Sequence, residues 1–179
     1  RPWADWFALV LFIGAAVTDF FDGYLARLWK QESRFGAMLD PIADKAMVVI
    51  AIMVITGYSG MNPWLILPAT LILFREVFVS GLREYLGARA ALLQVTKLAK
   101  WKTTAQMVAI AVLFLGTGLA YLEAGRPPRA GEGDVPPGTS LAALATLAGL
   151  GLIWVAAALT VVTGWDYFRK ALPILREPQ

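Results

Sequence analysis

Long apolar runs alternate with short polar connections along the chain, and the lengths of these runs predict membrane-spanning helices. A spanning helix needs about 20 predominantly apolar residues. Five runs meet that requirement, at residues 3–28, 38–58, 63–87, 99–122 and 140–170. The stretch 124–139 is rich in Pro and Gly and predicts a loop before the last run. The pattern therefore predicts an all-α integral membrane protein with five transmembrane helices.

The composition agrees with a membrane protein and narrows the chemistry available to it. Of the 179 residues, 58% are hydrophobic and 16% are charged, whereas soluble domains are roughly 25% charged. The absence of Cys and His excludes disulfides, thiolate metal sites and an imidazole general base. Any bound metal is expected to be a hard, oxygen-preferring ion such as Mg²⁺ or Mn²⁺.

The distribution of basic residues predicts the orientation of the spans. Grouping alternate ends of the five runs puts 13 of the 16 Lys and Arg residues on one side. Because basic residues concentrate in cytoplasmic connections, that side is predicted to face the cytoplasm. Residue 1 then lies outside, so we expect a further N-terminal helix and a six-helix bundle in the complete protein. Residues 1–179 are predicted to form a single transmembrane domain.

Four aspartates lie at the predicted cytoplasmic ends of the first two spans. Asp19 and Asp22 are three residues apart, and Asp40 and Asp44 are four apart, so each pair shares a helix face. A charge at the centre of a spanning helix costs roughly 2.5–3.5 kcal/mol on insertion scales, so intramembrane carboxylates indicate function. Gathered carboxylates repel one another, and two divalent cations would relieve that repulsion and suit phosphoryl transfer. A proton or cation pathway is the alternative use of the same residues.

These aspartates belong to a longer motif. Along the chain it reads Asp19-x-x-Asp22-Gly23-x-x-Ala26-Arg27, then eight residues, then Gly36-x-x-x-Asp40-x-x-x-Asp44. The motif resembles the complete signature of the CDP-alcohol phosphotransferase family, with every element at the family's spacing. This resemblance implies six transmembrane helices and often a homodimer. It also implies transfer of the phosphatidyl group of a CDP-linked lipid to an alcohol, with release of CMP and with Mg²⁺ or Mn²⁺.

The same resemblance implies roles for individual residues. Asp44 resembles the general base. The residues that resemble metal ligands, expected to hold two ions, are Asp19, Asp22, Asp40 and Asp44. The residues implied at or beside the CDP-binding site are Thr18, Asp22, Gly23, Ala26, Arg27 and Gly36.

Two later basic segments bear on the identity of the alcohol. They read R-E-V-F-V-S-G-L-R-E at 75–84 and K-L-A-K-W-K-T-T-A-Q-M at 97–107. Part of this basic content is what the orientation rule and contact with anionic lipids predict. The sharper interpretation is a pocket for the phosphate of the acceptor, formed by Arg75, Arg83, Lys97, Lys100 and Lys102. Together with M-L-D-P-I-A-D-K at 38–45, these segments resemble the family members that make phosphatidylglycerol phosphate.

The resemblance therefore implies CDP-diacylglycerol and sn-glycerol 3-phosphate as substrates. Membrane lipids and a second copy of the chain are the other expected partners, and no nucleic acid is expected. The implied location is the bacterial cytoplasmic membrane, with the active site on the cytoplasmic side. Two alternatives stay open. One is a family member of the inositol phosphate or cardiolipin type, and the other is a cation transporter.

Overall fold

The protein is built from helices, which a computed structural model describes over residues 6–15, 17–18, 34–93, 97–125 and 140–176. For residues 34–41, 44, 88, 91–92 and 97–100 the description covers the backbone alone. The elements are α1 (Trp6–Ala15), α2 (Arg34–Tyr58), α3 (Pro63–Leu86), a 3₁₀ helix (Gly87–Leu92), α4 (Lys97–Ala124) and α5 (Leu141–Arg176). Over these residues, the all-α prediction is confirmed.

The bounds of α3 follow from residues that begin and end helices. Asn62 caps the N-terminus by accepting a hydrogen bond from the Trp64 backbone N–H at 3.0 Å, and Pro63 follows in the first turn. Gly87 ends the helix with a φ of 52°, and its N–H donates to carbonyls of the last turn. The helix matches the predicted span 63–87 to within one residue.

Three of the helices are long and apolar enough to cross a membrane. They are Pro63–Leu86, Trp101–Ala124 and Leu141–Arg176. The apolar parts of the other two, Trp6–Ala15 and Lys45–Tyr58, are shorter within the described ranges, and the predicted span 3–28 lies only partly inside those ranges. Large apolar side chains such as Phe74 and Val77 are exposed, as expected for a surface that faces lipid. The chain is therefore that of a membrane protein.

Helices α4 and α5 run antiparallel and approach each other closely through small residues. Gly149 of α5 lies against Leu113 of α4, so that an added Cβ would be 2.7 Å from Leu113 Cγ. Gly116 of α4 lies against Thr146 of α5, whose Oγ1 would be 2.8 Å from an added Cβ. In lipid, helices associate largely through van der Waals contact of this kind, because the hydrophobic effect does not distinguish a neighbouring helix from an acyl chain.

Helix α3 packs beside α5 in the parallel direction. The indole N–H of Trp154 donates to the Trp64 carbonyl at 2.9 Å, and further along both helices Arg75 lies against Gly164. The largest fully buried apolar side chains are Ile72 of α3, Ile110 of α4 and Ile153 of α5. This packing brings the polar parts of the helices together toward the end of the bundle that carries most basic residues.

Candidate active site

A cluster of polar and charged side chains joins α2, α3 and α4. Glu76 of α3 accepts a hydrogen bond on Oε1 from Arg75 Nη1 at 3.2 Å. Lys102 Nζ of α4 donates to the same oxygen. One turn along α3, the hydroxyl of Ser80 accepts a hydrogen bond from Lys45 Nζ of α2. We call these five residues the Glu76 cluster.

The Glu76 cluster is shielded from solvent and carries an excess of positive charge. Lys102 is 5% exposed, and the side chains of Arg75 and Glu76 are 16% and 18% exposed. Lys45, which donates to Ser80, adds a third cation to the cluster. The cluster thus groups three cations with a single carboxylate of its own. Such a group of cations is suited to an anionic ligand.

The register of each helix explains why these residues meet. Arg75 and Glu76 occupy the face of α3 that also buries Ile72 and Val79. Lys102 lies at the start of the apolar part of α4, where its long aliphatic stem can lie along neighbouring apolar surface while the ammonium reaches the carboxylate. The charged groups thus extend from otherwise apolar helix faces into one shared space.

Helix α5 supplies a further wall of this site. Gly164 lies so close to Arg75 that an added Cβ would be 2.9 Å from Arg75 Cγ. Tyr167, one turn later and 6% exposed, has its ring 5.3 Å from the guanidinium carbon of Arg83. Arg75 Nε and the Tyr167 hydroxyl are both buried, and neither has a hydrogen-bond partner among the described residues. The site therefore contains donors that the described part of the protein leaves unsatisfied.

The basic residues predicted for the acceptor phosphate are only partly brought together. Arg75 and Lys102 meet on one carboxylate oxygen. Arg83 lies eight residues beyond Arg75, about 12 Å along the axis of α3, with its guanidinium carbon over the ring of Tyr167 in α5. Lys97 and Lys100 begin α4, where the description covers the backbone alone. The assignment of all five residues to one phosphate stays a prediction.

Most of the predicted aspartate site lies outside the described residues. The positions concerned are Asp19, Asp22, Gly23, Ala26 and Arg27. Thr18 is helical and exposed, whereas Gly36, Asp40 and Asp44 belong to α2, described there by backbone alone. The helical register separates Asp40 from Asp44 by about one turn, as predicted from their spacing.

The donor types on and beside α2 suit a hard divalent cation. Carboxylate oxygens are the ligands that Mg²⁺ and Mn²⁺ prefer, and α2 carries two aspartates on one face. Among the side chains that the structure describes, no group of three or more acidic residues could hold a metal ion. The residues fit such an ion in chemistry, and the predicted ligand set of Asp19, Asp22, Asp40 and Asp44 stays a prediction.

Several residues that organise the site were not among those predicted to bind a metal ion, CDP or the acceptor phosphate. Lys45 and Glu76 each had a signal in the sequence, since Lys45 ends the M-L-D-P-I-A-D-K segment and Glu76 follows an arginine within an apolar run. Ser80, Gly164 and Tyr167 had none, because their contribution depends on how α3 and α5 are rotated against each other.

Fold and site together define a class, an all-helical integral membrane protein with a cluster of cations shared by three of its helices. The profile of the CDP-alcohol phosphatidyltransferase family matches residues 1–165, and the chain belongs to this family. The family predicted from the aspartate motif is thereby confirmed.

Proteins named CDP-diacylglycerol–glycerol-3-phosphate 3-phosphatidyltransferase are similar over nearly the whole chain. The one from Cereibacter sphaeroides is 72% identical over 99% of this chain and 86% of its own length. Those from Pectobacterium atrosepticum and Rickettsia bellii are 38% and 39% identical, over 98% and 94% of this chain and 84% and 80% of their own lengths. The similarity therefore includes the helices that carry the Glu76 cluster.

Proposed function

We propose that the chain transfers the phosphatidyl group of CDP-diacylglycerol to sn-glycerol 3-phosphate, giving phosphatidylglycerol phosphate and CMP. The name shared by the relatives supports both substrates. The observation that carries the proposal is the hydrogen bond between Lys45 and Ser80. It ties the segment of α2 that bears Asp44 to the helix that bears Arg75 and Glu76.

The charge of the Glu76 cluster supports an acceptor that itself carries a phosphate. Arg75 offers a planar guanidinium suited to phosphate oxygens, and Lys102 adds a compact positive charge. An acceptor without a phosphate, such as glycerol or serine, lacks the phosphate oxygens that Arg75 and Lys102 would bind and is expected to bind weakly. Inositol phosphate would meet the same charge requirement. The preference for glycerol 3-phosphate therefore rests on the relatives.

Asp44 is the proposed general base. Its carboxylate accepts the proton of the 1-hydroxyl of glycerol 3-phosphate, and that oxygen forms a bond to the phosphorus attached to diacylglycerol. The bond between this phosphorus and the oxygen of CMP breaks, and CMP leaves with the electron pair. Because Asp44 directly precedes Lys45, the proposed base and one cation of the cluster are neighbours on the same segment of α2.

The remaining aspartates and their neighbours are proposed to hold the nucleotide end of the lipid. Asp19, Asp22, Asp40 and Asp44 would bind Mg²⁺ or Mn²⁺, proposed as two ions, which when bound offset the negative charge of the pyrophosphate. Residues proposed to shape the CDP site are Thr18, Asp22, Gly23, Ala26, Arg27 and Gly36. The distribution of 13 of the 16 basic residues to one side supports a site that faces the cytoplasm of a bacterial inner membrane. A homodimer is proposed from the family resemblance.

The experiment is release of CMP from CDP-diacylglycerol by the purified protein with Mg²⁺. Glycerol 3-phosphate, inositol 1-phosphate, glycerol and serine are supplied separately, and Asp44→Asn is compared with Asp166→Asn, an exposed aspartate of α5. We expect release with glycerol 3-phosphate alone and a loss of about 10²- to 10⁴-fold in Asp44→Asn only. Release with another acceptor would replace the proposed one, and no release with any acceptor would refute the transfer.

A further inference from the structure

We propose that the hydroxyl of Tyr167 donates a hydrogen bond to the phosphate of the acceptor, beside Arg75 and Arg83, and so helps to select a phosphorylated alcohol. This inference rests on the proposed function and adds a residue of α5 to it. The family profile ends at residue 165, so Tyr167 lies beyond the residues that the profile matches.

The hydroxyl of Tyr167 makes no hydrogen bond within the described fold. Tyr167 is 6% exposed, and its hydroxyl is buried without a hydrogen-bond partner among the described residues. A buried hydroxyl without a partner costs free energy, which Phe would avoid while filling the same space. A ligand that accepts the hydrogen bond gives the hydroxyl its function.

Tyr167 lies on the part of α5 that packs against the arginines of α3. Gly164 lies against Arg75, and Tyr167 follows Gly164 by three residues on the same buried face of α5. The Tyr167 ring also lies 5.3 Å from the guanidinium carbon of Arg83. The face of α5 from Gly164 to Tyr167 therefore runs along α3 between its two arginines.

The unsatisfied atoms of Tyr167 and Arg75 are both hydrogen-bond donors. Arg75 Nε is an N–H donor that, like the Tyr167 hydroxyl, is buried without a partner among the residues described. An unsatisfied hydroxyl and an unsatisfied N–H of the Arg75 guanidinium, with the Arg83 guanidinium over the tyrosine ring, suit a group that carries negative charge and several acceptor oxygens. A phosphate monoester has this chemistry. A guanidinium stacked on a ring also keeps its in-plane N–H groups for such a ligand, which gives Arg83 a matching role.

The test is Tyr167→Phe, with Tyr85→Phe as the matched control, because Tyr85 lies on α3 and is 71% exposed. Steady-state kinetics would give KM for glycerol 3-phosphate, KM for CDP-diacylglycerol and kcat. Thermal unfolding would be followed without ligand, with glycerol 3-phosphate and with inorganic phosphate. We expect KM for glycerol 3-phosphate to rise about tenfold or more in Tyr167→Phe only, with KM for CDP-diacylglycerol unchanged. The ligand-free unfolding temperature should stay the same or rise, and the increase produced by phosphate should shrink.

Either of two results would overturn the inference. One is an unchanged KM for glycerol 3-phosphate in Tyr167→Phe. The other is a lower unfolding temperature without ligand, which would mean that the hydroxyl bonds within the protein. If the unaltered protein releases no CMP with glycerol 3-phosphate, the proposed function fails by itself. The phosphate-dependent unfolding of the variant then still decides whether Tyr167 contributes to an anion site.

Discussion

Gly149 and Gly164 both lie on the buried face of α5, and each lets a neighbouring side chain approach closely, but the neighbours differ in kind. Gly149 admits Leu113 of α4, whereas Gly164 admits Arg75 of α3. The first contact yields dispersion between apolar atoms. The second holds the stem of a cation whose guanidinium donates to Glu76. The same backbone feature thus serves packing in one half of the helix and charge placement in the other.

This difference indicates that stability and ligand binding are separable along α5. The half that contains Gly149 packs against α4 through apolar contacts and holds no charged group of the site. The half that contains Gly164 and Tyr167 faces Arg75 and Arg83. Substitutions in the first half should change the free energy of unfolding, and those in the second should change recognition of the acceptor.

The largest effect is expected from Glu76→Gln, which removes the carboxylate shared by Arg75 and Lys102. Breaking a buried ion pair on one side costs about 3–5 kcal/mol, because the group that remains loses a charged partner. We expect a loss of unfolding free energy of that order, partly restored by inorganic phosphate, measured by denaturant unfolding in detergent micelles.

The control for that change is Glu123→Gln, which lies at the end of α4 opposite to Lys102. Glu123 Oε1 accepts a hydrogen bond from the Ala142 backbone N–H at 3.2 Å, and Gln keeps an acceptor oxygen there. The unfolding free energy should fall by less than about 1 kcal/mol, with no effect of phosphate. Equal losses in the two variants would contradict the separation of the two halves.

The next largest effects are expected from two Gly→Ala substitutions, each of which should change a different measured quantity. Gly149→Ala forces a methyl group against Leu113, so the unfolding free energy should fall by about 1–3 kcal/mol with KM for glycerol 3-phosphate unchanged. Gly164→Ala instead pushes Arg75 away, since an Arg side chain can move. Its kcat/KM for glycerol 3-phosphate should fall by about 10- to 100-fold, with a smaller loss of stability.

Gly151→Ala is the matched control for both, because Gly151 lies on the same helix with nothing within 4 Å of an added Cβ. It should gain roughly 0.5–1 kcal/mol from the better helix propensity of Ala and keep its activity. Chemical unfolding and acceptor kinetics on the three variants give the comparison. If Gly149→Ala and Gly164→Ala changed the same quantity, the two contacts would not differ in function.

The smallest effect is expected from Asp166→Asn, immediately before Tyr167. Asp166 pairs with Lys170 at 2.7 Å, but both side chains are more than 40% exposed. Such an i,i+4 pair contributes about 0.3–0.5 kcal/mol. The unfolding free energy should change by no more than that, and acceptor KM should be unchanged. A large rise in KM would mean that residue 166 acts on the site and that the role assigned to residue 167 is not specific.

Much of the fold was predictable because the length of an apolar run and the residues that begin or end a helix are local properties of the sequence. Asn62-Pro63 and Gly87 fixed α3 to within one residue of its prediction. Helix α5 continues to Arg176, beyond the predicted end at residue 170. Polar residues such as Asp166 and Lys170 end the apolar run without ending the helix, since apolarity reports contact with lipid and not helical propensity.

The candidate site was less predictable, because its contacts depend on how helices are rotated against each other. The spacing of Asp40 and Asp44 is a local property of one helix and could be read directly from the sequence. The hydrogen bond from Lys45 to Ser80 joins residues of two helices. The spacing of apolar residues within α2 or within α3 does not indicate which faces of the two helices meet. The same holds for Tyr167, whose place near Arg83 depends on the packing of α3 beside α5.

The contact between Gly164 and Arg75 also limits which substitutions these two positions can accept during evolution. Any side chain gained at position 164 requires a shorter or displaced residue at position 75, and a displaced arginine leaves the carboxylate of Glu76 with one partner fewer. An intermediate that has changed only one of these positions is therefore at a disadvantage. The positions are expected to vary together across relatives, as a linked set drawn from two distant parts of the sequence.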